Sequence, residues 1–250
     1  MHSAADPIIL CGGAGTRLRS VTGEAPKSLA RIGKRPFLEI LFNQLRRHGF
    51  DRVILAVGYQ KDLILSHFGE QAFGLRIAYS VELTPLGTGG AIRNALTLMQ
   101  SDAALIMNGD SYTDVNSREL LADFQRANAD LSVVAVPADG REDCGSLTVD
   151  PDGSIRGFRE KQVLTGKAFL NAGIYIARKR ILEEIAAGIP VSLETELFPR
   201  WLREGKNLRA FHHPGECIDI GTPDRFKNAQ MALANTELNQ SSTKQEARHA

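Results

Sequence analysis

Short apolar runs alternate with stretches of helical period over the first half of the chain. Pro7–Cys11 is an apolar run of buried-strand type that ends in glycines. Apolar residues at 37, 38, 41, 42 and 45 repeat with a helical period and predict a helix over Phe37–Arg47, with Gly49 as its stop. The same reading gives strand Arg52–Val57, helix Lys61–Phe68, strand Leu75–Val81, helix Gly90–Met99 and strand Ala103–Met107. Helix Ser117–Ala129, with Ser117 as candidate cap, and strand Leu131–Val136 complete the series. This β-α-β-α order predicts an α/β fold, a Rossmann-like, mostly parallel mixed sheet with helices on both faces.

The rhythm changes near residue 137. Gly145–Asp150, the turn Pro151-Asp152-Gly153 and Ser154–Lys161 read as a hairpin, and Phe169–Ala177 as a further strand. Helices Arg180–Ala187 and Leu193–Arg203 follow, then strands Leu208–His212 and Cys217–Ile220 and a helix opening at Pro223. The expected organisation is one domain over 1–234. It has a first part at about 7–136, a small antiparallel part at about 137–222 and a final helix at 223–234. The Ser/Thr/Gln/Asn-rich stretch 235–250 is expected to be disordered.

Composition narrows the class. With 43% apolar and 24% charged residues in 250, the chain can bury a core unaided. A net charge of +1 gives no reason to expect a nucleic-acid or membrane partner. No apolar run approaches spanning length, no signal-type segment opens the chain, and the three cysteines are scattered, so a cytoplasmic protein is expected. Charge is uneven, however. Arg17, Arg19, Lys27, Arg31, Lys34 and Arg35 face only Asp6 and Glu24 within residues 1–35. That is either a solvated basic face or a cradle for a small polyanion.

Ligands of open α/β sheets bind beyond the carboxyl ends of the strands. Two candidate motifs stand there: Leu10-Cys11-Gly12-Gly13-Ala14-Gly15-Thr16-Arg17 after the first strand and Asn108-Gly109-Asp110 after the fourth. The glycines let backbone N–H groups approach phosphate. Walker A spacing is absent, and Leu18 stands at the third glycine position of a dinucleotide fingerprint. Alone, the glycines describe an ordinary strand-to-helix turn. Arg17 in the loop and Lys27 beyond it favour a triphosphate.

Gly-Gly-x-Gly-Thr-Arg-Leu followed by Pro26-Lys27 resembles the signature of the sugar-1-phosphate nucleotidyltransferases, the nucleotide-sugar pyrophosphorylases. The resemblance covers about residues 7–233. Within that family it is greatest to D-glycero-α-D-manno-heptose 1-phosphate guanylyltransferases, with mannose-1-phosphate guanylyltransferases next. Uridylyl- and thymidylyltransferases are further alternatives. It implies that Leu10, Gly12, Gly13, Gly15 and Thr16 hold the nucleotide, while Arg17 and Lys27 hold the triphosphate. Ser20 departs from the proline many members carry.

Glu82-Leu-Thr-Pro-Leu-Gly87-Thr88-Gly89-Gly90 resembles the family's base-binding segment. A carboxylate only accepts hydrogen bonds, and guanine offers adjacent N1–H and 2-amino donors. Glu82 therefore favours GTP, although a strand-end acid in solvent explains it equally well. Asp110 alone could be a helix cap. Asp219 lies between isoleucines, where a carboxylate is costly to bury unless paired or metal-bound. The resemblance makes Asp110 and Asp219 the Mg2+ ligands. Glu160 and Lys161 resemble the Glu-Lys motif for sugar and sugar phosphate, with Gln162 in place of a frequent proline. Asn108, Asp110, Gly145, Asn171 and Gly173 match further sugar-phosphate contacts. Self-association is common in the family.

The implied reaction is in-line attack of a sugar 1-phosphate on the α-phosphorus of the nucleoside triphosphate. Arg17, Lys27, Asp110, Lys161 and Asp219 would be its catalytic residues. The nucleophile is already ionised, so no base is needed, and none of the six histidines has a partner arranged for base catalysis. A non-catalytic nucleotide-sugar binder and an oxidoreductase on a doubly wound sheet are the competing readings. Retention of Lys27, Asp110 and Asp219 opposes the first, and the failed fingerprint opposes the second.

Overall fold

A computed structural model describes residues 4–138, 145–159 and 169–233. Strands β1 (Asp6–Leu10), β2 (Arg52–Val57), β3 (Leu75–Val81) and β4 (Ala103–Asn108) are parallel and lie in the order β3-β2-β1-β4. Strands β5 (Leu131–Pro137), β6 (Ser146–Val149), β7 (Ile155–Arg159), β8 (Phe169–Arg178) and β9 (Leu208–His212) extend the same sheet. β8 runs antiparallel to β4 on one side and to β5 on the other, and β9 lies parallel to β5. The β6–β7 hairpin joins the start of β8 at Phe169 and Leu170. The antiparallel part is thus a continuation of one mixed sheet.

Side chains alternate across a strand, so each strand feeds two cores. Ile9, Leu105, Val134 and Ile176 enter one, and Ile8, Ile106, Val133 and Tyr175 the other. Helices α1 (Phe37–Arg47), α2 (Lys61–Phe68), α4 (Ser117–Arg126) and residues 223–233 cover the first face. The other is covered by α3 (Gly87–Ala95), Lys179–Glu183, the π-turn Leu193–Leu197 and Phe198–Arg203.

The described elements depart from the sequence pattern at a few ends. Asn116, not Ser117, caps α4: its side chain accepts the Arg118 N–H at 3.0 Å. The Ser117 hydroxyl meets His48 Nδ1 at 3.0 Å. α3 begins at Gly87 rather than Gly90. Ile218–Asp219 leaves the main sheet and pairs antiparallel with Ser111–Tyr112. The stretch 235–250 lies outside the described residues.

At the base of β1, Asp6 is almost fully buried. Its carboxylate accepts from Arg52 at 2.9 Å and from the backbone N–H groups of Gln100 and Ser101 at 2.7 and 2.6 Å. Arg52 also reaches the Leu98 carbonyl at 2.7 Å. This cluster ties β1 and β2 to the chain entering β4.

Candidate active site

Strand order reverses between β1 and β4, and a cleft of about 330 Å³ opens at their carboxyl ends. Leu10, Gly12, Gly13, Gly15, Lys27, Glu82, Gly87, Thr88, Asn108 and Asp110 all line it. Thr16 and Arg17 follow as an exposed turn that leads into buried Leu18.

The strand ends approach each other because Gly109 has no side chain. Its N–H donates to the Leu10 carbonyl at 3.0 Å, and a Cβ there would stand 2.5 Å from that oxygen. Gly15 adopts φ +58 to open the Thr16–Leu18 turn, and its bare face packs on the Lys27 side chain. The Lys27 ammonium thereby reaches Asp110 and forms an ion pair with it inside the cleft.

Asp110 and Asp219 come from distant stretches brought side by side. The Ile218–Asp219 strand lies against Ser111–Tyr112, and the Ile220 N–H donates to the Asp110 carbonyl at 3.0 Å. The Asp219 side chain is mostly buried, and Arg225 contacts both its oxygens at 3.0 and 3.1 Å. Among the described residues, no cluster of three or more His, Cys, Asp or Glu side chains could hold a metal.

Glu82 leaves β3 beside the loop. Its Oε2 accepts the Leu86 N–H at 3.0 Å, and its Oε1 lies over Gly12, 2.6 Å from where a Cβ would be. Burial raises the Glu82 carboxyl above its ordinary value, opposed by the Leu86 hydrogen bond. Gly89 and Gly90, in the stretch that resembles a base-binding segment, are buried. Both N–H groups point at the Val191 carbonyl, at 2.9 and 3.4 Å. Their missing side chains make room for Leu197, Val191 and the Ile189 backbone.

Asn171 and Gly173 lie on β8 next to β4. Gly173 has φ +71, and a Cβ there would meet the Asn108 amide at 2.6 Å, so the glycine admits Asn108 rather than a free ligand. Gly145 accepts the Asn171 N–H at 2.9 Å and packs beneath the Phe158 ring. Glu160 and Lys161 lie outside the described residues.

Sequence reading missed three side chains here. Arg225 sits in the first turn after Asp219, where only the helix-starting proline drew attention. Glu194 hides within an apolar helical period yet receives the Thr88 hydroxyl at 2.7 Å. Cys11 lines the cleft, but burial pushes its thiol up to about 12, with the Ser28 hydroxyl lowering and the Asp110 charge raising it further. A thiol so rarely ionised is a poor nucleophile. Iodoacetamide at pH 8 is therefore expected to leave the Cys11 peptide unmodified, as read by peptide mass mapping; rapid labelling would contradict its burial.

The nucleotidyl transferase family model matches residues 6–236. The chain is 36% identical to a D-glycero-alpha-D-manno-heptose 1-phosphate guanylyltransferase of Aneurinibacillus thermoaerophilus, over 91% of this chain and 98% of the relative. It is 34% identical to the enzyme of the same name from Campylobacter jejuni, over 88% and 96%. The crystal structure of HddC from Yersinia pseudotuberculosis complexed with GMP-PN superposes with a TM-score of 0.82 at 31% identity, covering 92% of this chain and 99% of that one.

Proposed function

The chain belongs to the nucleotidyl transferase family, and on that premise we propose that it joins D-glycero-α-D-manno-heptose 1-phosphate to GTP, giving GDP-heptose and pyrophosphate. The observation that carries the reading is the convergence of Glu82, Gly12 and the Lys27–Asp110 pair on one cleft at the strand-order reversal. The two guanylyltransferase relatives, alike over nearly their whole length, support guanine and heptose.

In this reading the chain's work is positioning and charge neutralisation, because the attacking phosphate needs no base. Glycines 12, 13 and 15 let backbone approach the phosphates. Lys27 and Arg17 balance their charge, and Glu82 accepts from the guanine edge. Asn108, Gly145, Asn171 and Glu160 serve the sugar, Gly173 makes the room Asn108 needs, and Lys161 serves the sugar phosphate. Asp110 and Asp219 would hold Mg2+. What supports this is that the Ser111–Asp219 ladder sets the two carboxylate-bearing stretches together, with Lys27 and Arg225 now engaging their oxygens, and that two carboxylates would leave the rest of an octahedral shell to phosphate and water. Bound there, the ion would neutralise triphosphate charge. The continuous sheet supports one domain, in which the nucleotide part at about 7–136 and the sugar-phosphate part at about 137–222 share the β4–β8 junction.

Pyrophosphate release tests this directly, crossing GTP, UTP, dTTP, CTP and ATP with heptose, mannose and glucose 1-phosphates. GTP with the heptose should give the highest kcat/KM; preference for a pyrimidine nucleotide would overturn the guanine assignment. Glu82 adds a pH signature. Its raised value means that it protonates, turning one acceptor oxygen into a donor that opposes the guanine N–H groups, at a higher pH than an exposed glutamate. KM for GTP should therefore rise as pH falls through that value, and the acid limb should vanish in Glu82→Gln.

A further inference from the structure

One line of hydrogen bonds runs from the nucleotide cleft to the sugar strand, and a single carboxylate sets its direction. Thr88 lines the cleft and donates through its hydroxyl to Glu194 Oε2 at 2.7 Å. The same hydroxyl accepts the Leu193 N–H at 2.7 Å. Glu194 Oε1 accepts from the Tyr175 hydroxyl at 3.2 Å. Tyr175 in turn accepts from Asn171 Nδ2 at 2.8 Å, and Asn171 Oδ1 accepts the Gly173 N–H at 2.9 Å.

The polarity of this line follows from donor chemistry. An ionised carboxylate has no proton to give, so both Thr88 and Tyr175 must donate to it. With its one proton committed, Tyr175 offers only lone pairs to Asn171, which must present its NH2 there and its carbonyl to Gly173. Tyr175 is fully buried, and burial with the Glu194 charge holds its phenol well above the ordinary range, so the hydroxyl stays a donor. The Thr88 hydroxyl and, through Tyr175, the Asn171 amide are therefore joined to the same carboxylate, while the Leu193 and Gly173 N–H groups hold their far sides.

We propose that Glu194 is a positioning residue that couples the two substrate sites, so that filling the sugar site tightens the nucleotide site and the reverse. This deepens the functional reading above and rests on it. Glutamine at 194 is isosteric but presents one acceptor and one donor, so the Thr88 and Tyr175 hydroxyls could no longer both donate to it, and the line joining the two sites would break at one of them.

The experiment is calorimetric titration of a GTP analogue with an imido bridge between the α- and β-phosphorus, with and without saturating heptose 1-phosphate. In the wild type the sugar phosphate should tighten the analogue at least about 5-fold, the low end of measured couplings, and the analogue should tighten the sugar phosphate by the same factor. In Glu194→Gln each ligand should still bind alone, with the coupling factor falling towards one. Tyr175→Phe, which breaks the line while keeping the carboxylate, should behave the same way and serves if Glu194→Gln fails to fold. A wild type that binds both ligands while both variants retain its coupling factor overturns the proposal alone. A wild type that binds no guanine nucleotide overturns the functional reading and this proposal with it.

Discussion

Asp110→Asn is expected to lower pyrophosphate release on the order of 10²–10³-fold while leaving the fold intact. Asparagine keeps the shape of the side chain and removes its charge. Asp110 now forms an ion pair with Lys27, and its Oδ1 receives the Ser111 hydroxyl at 3.2 Å. Both groups face the cleft, where the triphosphate would bring its own negative charge. Losing the carboxylate removes one of the two anionic anchors proposed for Mg2+ and frees Lys27 from its fixed position. Because Asp110 is only partly buried, the substitution should cost little stability. The check is a pyrophosphate assay beside a thermal melt. Turnover like that of the wild type would sink the role given to Asp110.

The second large effect is on stability. Asp6→Ala should cost about 3–5 kcal/mol, because it strands the partly buried Arg52 guanidinium without its carboxylate. It also leaves the Gln100 and Ser101 N–H groups without an acceptor. Against a typical total of about 5–15 kcal/mol, that is a large share. Urea unfolding should show a lower midpoint with the slope m preserved. Asp6→Ala combined with Arg52→Ala should cost less than the sum of the two singles, since each single leaves the other partner exposed to the same loss. Additive costs would contradict the pairing.

Most elements of the first half could be read from pattern because local chemistry fixes them. Phe37–Arg47 and Lys61–Phe68 carry a helical period, Leu75–Val81 alternates, Arg52–Val57 is an unbroken apolar run after its first residue, and glycine or a change of polarity marks their ends. Alternation also placed the glycine loop and Asp110 at strand ends, and hence on one edge of the sheet. Ends misread were those where tertiary contact decides. α3 starts at Gly87 because Val191 and Leu193 hold its first turn. Asn116 caps α4 because the Ser117 hydroxyl is engaged by His48.

By itself the sequence determined the reaction chemistry available to this protein: which charged groups exist, which backbone can approach phosphate, and the order of the elements that carry them. Those properties belong to residue types and short spacings. Tertiary structure alone decided which groups meet. Arg225 on Asp219, Val191 against Gly89 and Gly90, and Glu194 between Thr88 and Tyr175 are contacts across loops and sheet edges. No local period encodes such pairs, because their geometry is set by how the two faces of the sheet are packed. Glycines 90 and 173 mark the difference: both lie in stretches that resemble ligand-binding motifs, and the space each leaves is filled by the protein itself, by Leu86 and Ile189 at Gly90 and by Asn108 at Gly173.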